Sequence, residues 1–192
     1  MADTSQSSVG RVFKTSNRQL LRRARSEAKL AEVLPEHLEV DCAYHVISHG
    51  DIDSLSYLAH VLKVQPLDYL MISTWVMAAT DVKLLERWVD QGRIACLDFN
   101  FGEHMPSEYG DIFIAATALS IYTGGCTKVA ANHSKVMLGC NSTDNYWWVS
   151  ESSANVNTNP RIEQTMLTRD QGLFDFYKTF FDGLRSIERK PK

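Results

Sequence analysis

Apolar residues recur along this chain with two spacings, and the change from one to the other divides it. From Leu20 to Leu34 they fall at Leu20, Ala24, Ala28, Ala31 and Leu34. That is the three-to-four spacing of an amphipathic helix, and Pro35 ends it. Cys42-Ala43-Tyr44-His45-Val46-Ile47 reads as a buried strand, broken at Gly50-Asp51. Asp51 or Asp53 is placed to cap a helix running to about Val64. Residues 67–73 read as a second strand. Thr80 or Asp81 is expected to cap a helix with Val82, Leu85, Trp88 and Val89 on one face, closing near Gly92. Residues 94–98 read as a third strand. Residues 99–110, with Gly102, Pro106 and Gly110, read as a loop. A helix over 111–122 and a strand over 127–130 follow.

Beyond residue 130 the connections shorten. Residues 133–138, 146–150 and 162–167 read as strands, the first two joined by a turn over 139–144. A final helix over about 171–187 carries Leu173, Phe176, Tyr177, Phe180, Phe181 and Leu184 on its apolar face. Those aromatics read as core or dimer packing. Strands alternating with helices, then a cluster of strands, specify an α/β fold with a mixed sheet flanked by helices. The expected division is a basic N-terminal segment with its helix (1–39), one domain (40–188) and a basic tail (189–192).

Composition narrows the function classes. Of 192 residues, 44% are hydrophobic, enough for a real core and too many for a disordered chain. The formal net charge is −3, so any contact with nucleic acid has to use a local basic patch. Residues 11–30 supply one, with Arg11, Lys14, Arg18, Arg22, Arg23, Arg25 and Lys29 against the single acid Glu27. Two readings fit it. The helix packs on the domain with a solvated outer face, or Arg18, Arg22, Arg23 and Arg25 hold a nucleic-acid backbone. The cysteines, Cys42, Cys96, Cys126 and Cys140, have no metal-ligand spacing, and a reduced cytoplasmic protein is expected. No secretory signal and no run of ~20 apolar residues is present, so no membrane partner is expected.

The candidate chemistry lies in Asn132-His133-Ser134-Lys135, followed by Ser153, Asn155 and Glu163. A neutral imidazole is a nucleophile near pH 7. A lysine two residues on, in a strand, shares its face and adds positive charge. A serine, an asparagine and a carboxylate can hold phosphate oxygens and orient the ring. His-x-Lys alone is explained as well by an ordinary histidine beside a solvated lysine. The later residues point it towards phosphorus.

In these residues the chain resembles the phospholipase D superfamily, whose motif is His-x-Lys-x4-Asp, then Gly-Ser-x-Asn and often a trailing Glu. His133, Lys135, Ser153, Asn155 and Glu163 match. Cys140 stands where the Asp would be and Ser152 where the Gly would be. The order of elements is similar to the single-motif, nuclease-type branch. The resemblance implies a phospholipase D-like sandwich and metal-independent phosphodiester cleavage without a cofactor, through a phosphohistidine. It implies two histidines from a single motif, hence a homodimer with both His133 rings at the interface. Lys135 and Asn155 would stabilise phosphate charge, Ser153 would bond to phosphate, and Glu163 would bond to an imidazole nitrogen. Catalytically inactive nucleic-acid binding on the same fold is the alternative. Arg161, Asn157 and Asn159 could line a phosphate groove, although Asn-Thr-Asn-Pro also reads as a simple turn. His104 reads as a rim residue or a solvated loop histidine. Of Trp147 and Trp148, one is expected in the core and the other in packing or beside the site.

Overall fold

The computed structural model describes residues 18–156 and 161–187, with side chains from Arg22 onward. Its elements are α1 (Arg18–Val33), β1 (Ala43–Ser48), α2 (Ser54–Val64), β2 (Tyr69–Thr74), α3 (Ala79–Asp90), β3 (Leu97–Gly102) and α4 (Met105–Glu108). They continue with α5 (Gly110–Tyr122), β4 (Thr127–Ala130), β5 (Val136–Asn141), β6 (Tyr146–Ser152), β7 (Glu163–Thr168) and α6 (Gln171–Asp182). The seven strands form one mixed sheet in the order β1-β7-β6-β5-β2-β3-β4. β2, β3 and β4 pair in parallel. β5, β6, β7 and β1 join by antiparallel pairings. One end of the sheet therefore gathers the carboxyl ends of β1, β2, β3, β4 and β6 with the amino ends of β5 and β7.

Two cores hold the layers. On one face, Leu30 of α1, Leu55 and Leu58 of α2, Leu85 of α3 and Leu119 of α5 pack with Phe99, Phe101 and Trp148 of the sheet. On the other, Phe174 and Phe181 of α6 pack on Met71, Leu138, Cys140 and Val149. Trp147 turns to this second face, with its ring 5.0 Å from that of Phe174. Both tryptophans of the pair are thus packing residues on opposite faces. α1 is part of the first core. Ser26 is fully buried and bonds to Ser56 at 2.8 Å, so this helix packs on the domain.

Several element boundaries differ from expectation for identifiable reasons. β3 runs through Phe99 and Phe101 into the expected loop, because Leu97, Phe99 and Phe101 alternate into the core, all fully buried. The turn after β5 starts later, since Gly139 and Cys140 are strand residues. Gly139 is small because Leu67 lies over it: a Cβ there would sit 2.7 Å from Leu67 Cδ1. Asp53 caps α2, accepting from Leu55 N–H at 3.0 Å. α3 begins at Ala79 with no side-chain cap, and Asp81 lies buried in its first turn. No helix among the described residues is long and apolar enough to cross a membrane.

Candidate phosphate-directed site

The segment between β4 and β5 is pinned to the end of the sheet by Asn132. Its Nδ2 donates to Ser73 Oγ (2.8 Å) on β2 and to the Asn100 carbonyl (2.9 Å) on β3. Its Oδ1 accepts from Ser134 N–H (2.9 Å) and from the Ser134 hydroxyl (2.6 Å). Both amide protons and the carbonyl are engaged, so the side chain ties two strands to one loop. His133 and Lys135 stand on this loop just ahead of β5, outside the strand in which they were expected. Strand alternation therefore does not bring them together. Lys135 folds back instead, with Nζ 2.8 Å from His133 Nδ1, 3.3 Å from Nε2, and donating to the His133 carbonyl at 2.6 Å.

Trp75, which follows β2, supplies the next wall. Its ring lies 5.4 Å from the His133 imidazole at a tilt of 49°, and 5.7 Å from His104, edge-on. It lies across the end of β3 because residue 102 is glycine. A Cβ there would collide with the Trp75 ring and approach Asn132 O to 2.8 Å. His104 is half-buried at this rim, its Nδ1 3.0 Å from Glu108 Oε1. Trp75 also orients Asn155. The Trp75 N–H donates to Asn155 Oδ1 at 3.2 Å, and the Thr74 hydroxyl is 3.4 Å from the same oxygen. A backbone N–H can only donate, so this contact identifies the oxygen and leaves the NH₂ of Asn155 for another partner.

β6 and β7 complete the cluster. Ser152 N–H donates to the Lys135 carbonyl at 2.9 Å, which sets the next residues beside that lysine. Ser153 pairs with Gln164 through N–H to O at 2.9 Å and accepts from Gln164 N–H at 3.0 Å. The Ser153 hydroxyl donates to Glu163 Oε2. Glu163 is therefore bonded to Ser153 within one chain, where an imidazole partner was expected. It opens β7 directly beside Ser153, and that backbone pairing decides its partner. Burial holds the Lys135 ammonium below the ordinary lysine range, and the charge of Glu163 opposes this. Lys135 makes no carboxylate ion pair among the described residues.

The two departures from the motif have separate settings. Cys140 is near the far end of β5, buried against α6, where burial pushes its thiol up to about 11. It does not reach the site. Ser152 Oγ is 2.9 Å from Thr165 Oγ1, donates to Gln164 O at 3.2 Å and accepts from Ala154 N–H at 3.1 Å. It shapes the bend that carries Ser153 and Asn155.

The arginine candidates disperse. Arg23 is bonded to Asp53 at 3.2 Å and Asp81 at 2.6 Å. It is removed from the phosphate-binding set, because two buried carboxylates already hold its guanidinium. Arg22 donates to the Gly50 carbonyl at 2.5 Å. Arg25 is exposed on α1, and Arg161 is exposed two residues ahead of β7, at the site end of the sheet. The side chain of Arg18, together with Arg11, Lys14, Asn157, Asn159 and the 189–192 tail, lies outside the described residues. Trp75 and Asn132 are the site residues that motif reading missed. Asn132 directly precedes His133, but nothing local distinguishes a tethering asparagine from a turn residue.

No protein-family model matches the chain, and no curated protein does. In fold it is similar to a polyphosphate kinase from Porphyromonas gingivalis, with a TM-score of 0.51 over 78% of this chain at 14% identity. The chain spans 27% of that enzyme's length. That kinase is a member of the phospholipase D superfamily, and the likeness is one of fold. The architecture is thus the phospholipase D-like α/β sandwich that the motif implies.

Proposed function

We propose that the protein is a metal-independent phosphodiesterase, a nuclease of the single-motif type, acting through a phosphohistidine where two copies meet in the cytoplasm. One observation carries this reading. Loop, bend and strand end bring His133, Lys135, Ser153, Asn155 and Glu163 to the same end of the sheet, linked through Trp75 and the Ser152–Lys135 backbone bond.

A ring nitrogen of His133 attacks phosphorus, and the bond to the leaving oxygen breaks with its electron pair on oxygen. The imidazolium of the second copy's His133 protonates that oxygen. The same ring, now neutral, takes a proton from water as water attacks phosphorus and the P–N bond breaks. Lys135 and the NH₂ of Asn155, which has no partner among the described residues, stabilise the non-bridging oxygens. In the unliganded geometry Lys135 rests on His133, and a phosphate would draw it away. The site uses the chain's own groups, without a cofactor.

The test is cleavage of labelled single- and double-stranded DNA and RNA in EDTA. Cleavage is expected to survive the chelator. Lys135→Ala should lower it by about 10²–10³-fold, the usual cost of a charge-stabilising group, and His133→Ala by at least as much. An activity that needs Mg²⁺ and tolerates both changes would place the chemistry elsewhere. Tight binding with no cleavage would select the inactive nucleic-acid-binding alternative.

A further inference from the structure

α5 carries one charged residue, Asp111, among its 13. A helix that is apolar on nearly every side is normally covered on every side. The inner side of α5 is covered, with Ala116 and Leu119 buried in the first core. The outer side is open: Ile114, Ile121 and Tyr122 are 66%, 67% and 76% exposed. Between α5 and α3 runs a groove of about 520 Å³. Val82 of α3 and Ile112 and Tyr122 of α5 line it, and the small side chains of Ala115 and Ala118 leave room in it. A cleft of this volume takes a compact ligand or a few side chains.

The rim of the groove is acidic. Glu86 and Asp90 of α3 and Asp111 of α5 line it, against Lys83 alone. All four are exposed, and the three carboxylates make no ion pair among the described residues. Such a groove suits an apolar segment that carries positive charge, and the chain has one within reach. Arg23 of α1 bonds to Asp81 at 2.6 Å. That sets the start of α1 beside the first turn of α3, where Ala79, Val82 and Lys83 open the groove. Residues 1–17 lead directly into α1 and lie outside the described residues. Their sequence includes Val9, Val12 and Phe13, with Arg11 and Lys14 among them and Asp3 as the only acid. Phe13 and Arg18 are five residues apart, a span of up to ~17 Å. Neighbouring helix axes lie roughly 8–10 Å apart, so Phe13 can cross α3 and reach the groove.

We propose that residues 9–14 of the chain's own N-terminal segment dock in the α3–α5 groove. Val12 and Phe13 meet its apolar floor, and Arg11 and Lys14 meet the carboxylates of Glu86, Asp90 and Asp111. The proposal stands apart from the phosphodiesterase reading. Two observations select this occupant. The first is charge. Residues 9–14 carry two cations and no acid, which matches the rim. A second copy placed groove to groove about a two-fold axis would instead set carboxylates against carboxylates, a costly pairing. The second is the tether. A connection of a few residues holds the segment at an effective concentration on the order of millimolar, so it outcompetes an unlinked ligand of equal affinity. Docked, Arg11 and Lys14 have their charge answered within the chain, as Arg23 does, and are withdrawn from any nucleic-acid backbone.

Photo-cross-linking of the full chain tests the docking without any need for catalysis. p-Benzoylphenylalanine replaces Phe13, and light and isotopically heavy protein are mixed before irradiation. Mass spectrometry of the digest should find position 13 joined to groove residues of α3 or α5, in light–light and heavy–heavy pairs only. Glu86→Lys with Asp111→Lys should lower that yield by about tenfold, as attraction turns to repulsion. Independently, Ala118→Trp fills the groove and should lower the yield as much. These residues are exposed, so far-UV circular dichroism should be unchanged. Lys63→Glu on α2, away from the groove, should leave the yield as it is. Mixed light–heavy pairs would show a second copy's segment in the groove and overturn the proposal. Cross-links confined to other surfaces would overturn it too, as would a groove cross-link that survives both groove variants.

Discussion

Arg23 and Lys135 are both partly buried cations picked out by their sequence surroundings, and their partners differ. Arg23 lies between Asp53 and Asp81, with nitrogen–oxygen distances of 3.2 and 2.6 Å. Lys135 leans on an imidazole and a carbonyl, with no carboxylate bonded to it among the described residues. In the first place three charges satisfy one another and lock α1 to α2 and α3. In the second a cation feels the charge of Glu163 but makes no ion pair with a carboxylate among the described residues, and an incoming phosphate can take it. A basic residue binds phosphate only if the fold leaves its charge unanswered, and a count of charges along the chain does not reveal that.

Breaking the Arg23 side has the largest expected effect on stability. Arg23→Ala removes the guanidinium that Asp53 and Asp81 share and should cost about 3–5 kcal/mol at neutral pH. The pH dependence gives the check. Burial first, and then the charge of Asp53, push the Asp81 carboxyl up to about 6 from 3.8, while Arg23 pulls it back. The folded state therefore holds this proton more tightly than the unfolded state, and stability falls as pH rises between those values. Without Arg23 the folded value rises further and the window extends upward. The variant's deficit should be larger at pH 7.5 than at pH 5.5 in urea melts. Equal deficits, or a loss below about 1 kcal/mol, would show that the ion pairs are not what joins these helices.

Most of the fold was legible because its signals are local. The cap at Asp53 and the strand runs appear as expected; the helix α1 forms too, but Ala24, Ala28 and Ala31 of its expected apolar face are exposed, and Ser26 and Leu30 make the buried face. The errors arose where tertiary packing overrode punctuation. Gly102 and Gly139 read as loop and turn residues, yet both are strand residues kept small by Trp75 and Leu67 lying over them. The site was legible in its residue types and not in its wiring. The sequence shows His133 and Lys135 two apart, but only the fold shows that Asn132 ties their loop to β2 and β3. Likewise Glu163 meets Ser153 because β6 bends back onto β7. Such pairings join residues far apart in sequence, and no periodicity encodes them.

The Lys135 side can be sharpened through Glu163. Burial lowers the lysine's pKa and the Glu163 charge raises it. Activity that depends on the ammonium should thus fall on the alkaline side earlier than for an ordinary lysine. Glu163→Gln removes the opposing charge and makes the ammonium less favourable, so the alkaline limb should move to lower pH. The acidic limb need not follow it. A kcat/KM profile measures both limbs. A limb that stays in place, with activity reduced uniformly, would mean that Glu163 acts only through its bond to Ser153.

The smallest expected effect concerns an exposed arginine of α1. Truncating the basic segment is a poor probe, because it removes Ser26 and Leu30 from the core. Arg25 is exposed on the same helix, so a single substitution isolates its charge. If it contacts a duplex phosphate, Arg25→Gln should flatten the slope of log affinity against log salt by about 0.9. Stability should stay within about 0.5 kcal/mol, as for most surface changes. Arg23→Ala gives the contrast: a large stability loss and, in the fraction that remains folded, no change in slope. Fluorescence anisotropy of a labelled duplex across a potassium chloride series, with melts of the same samples, reads both. An unchanged slope for Arg25→Gln would limit α1 to packing. The nucleic-acid reading would then rest on Arg161 and Lys135, at the end of the sheet.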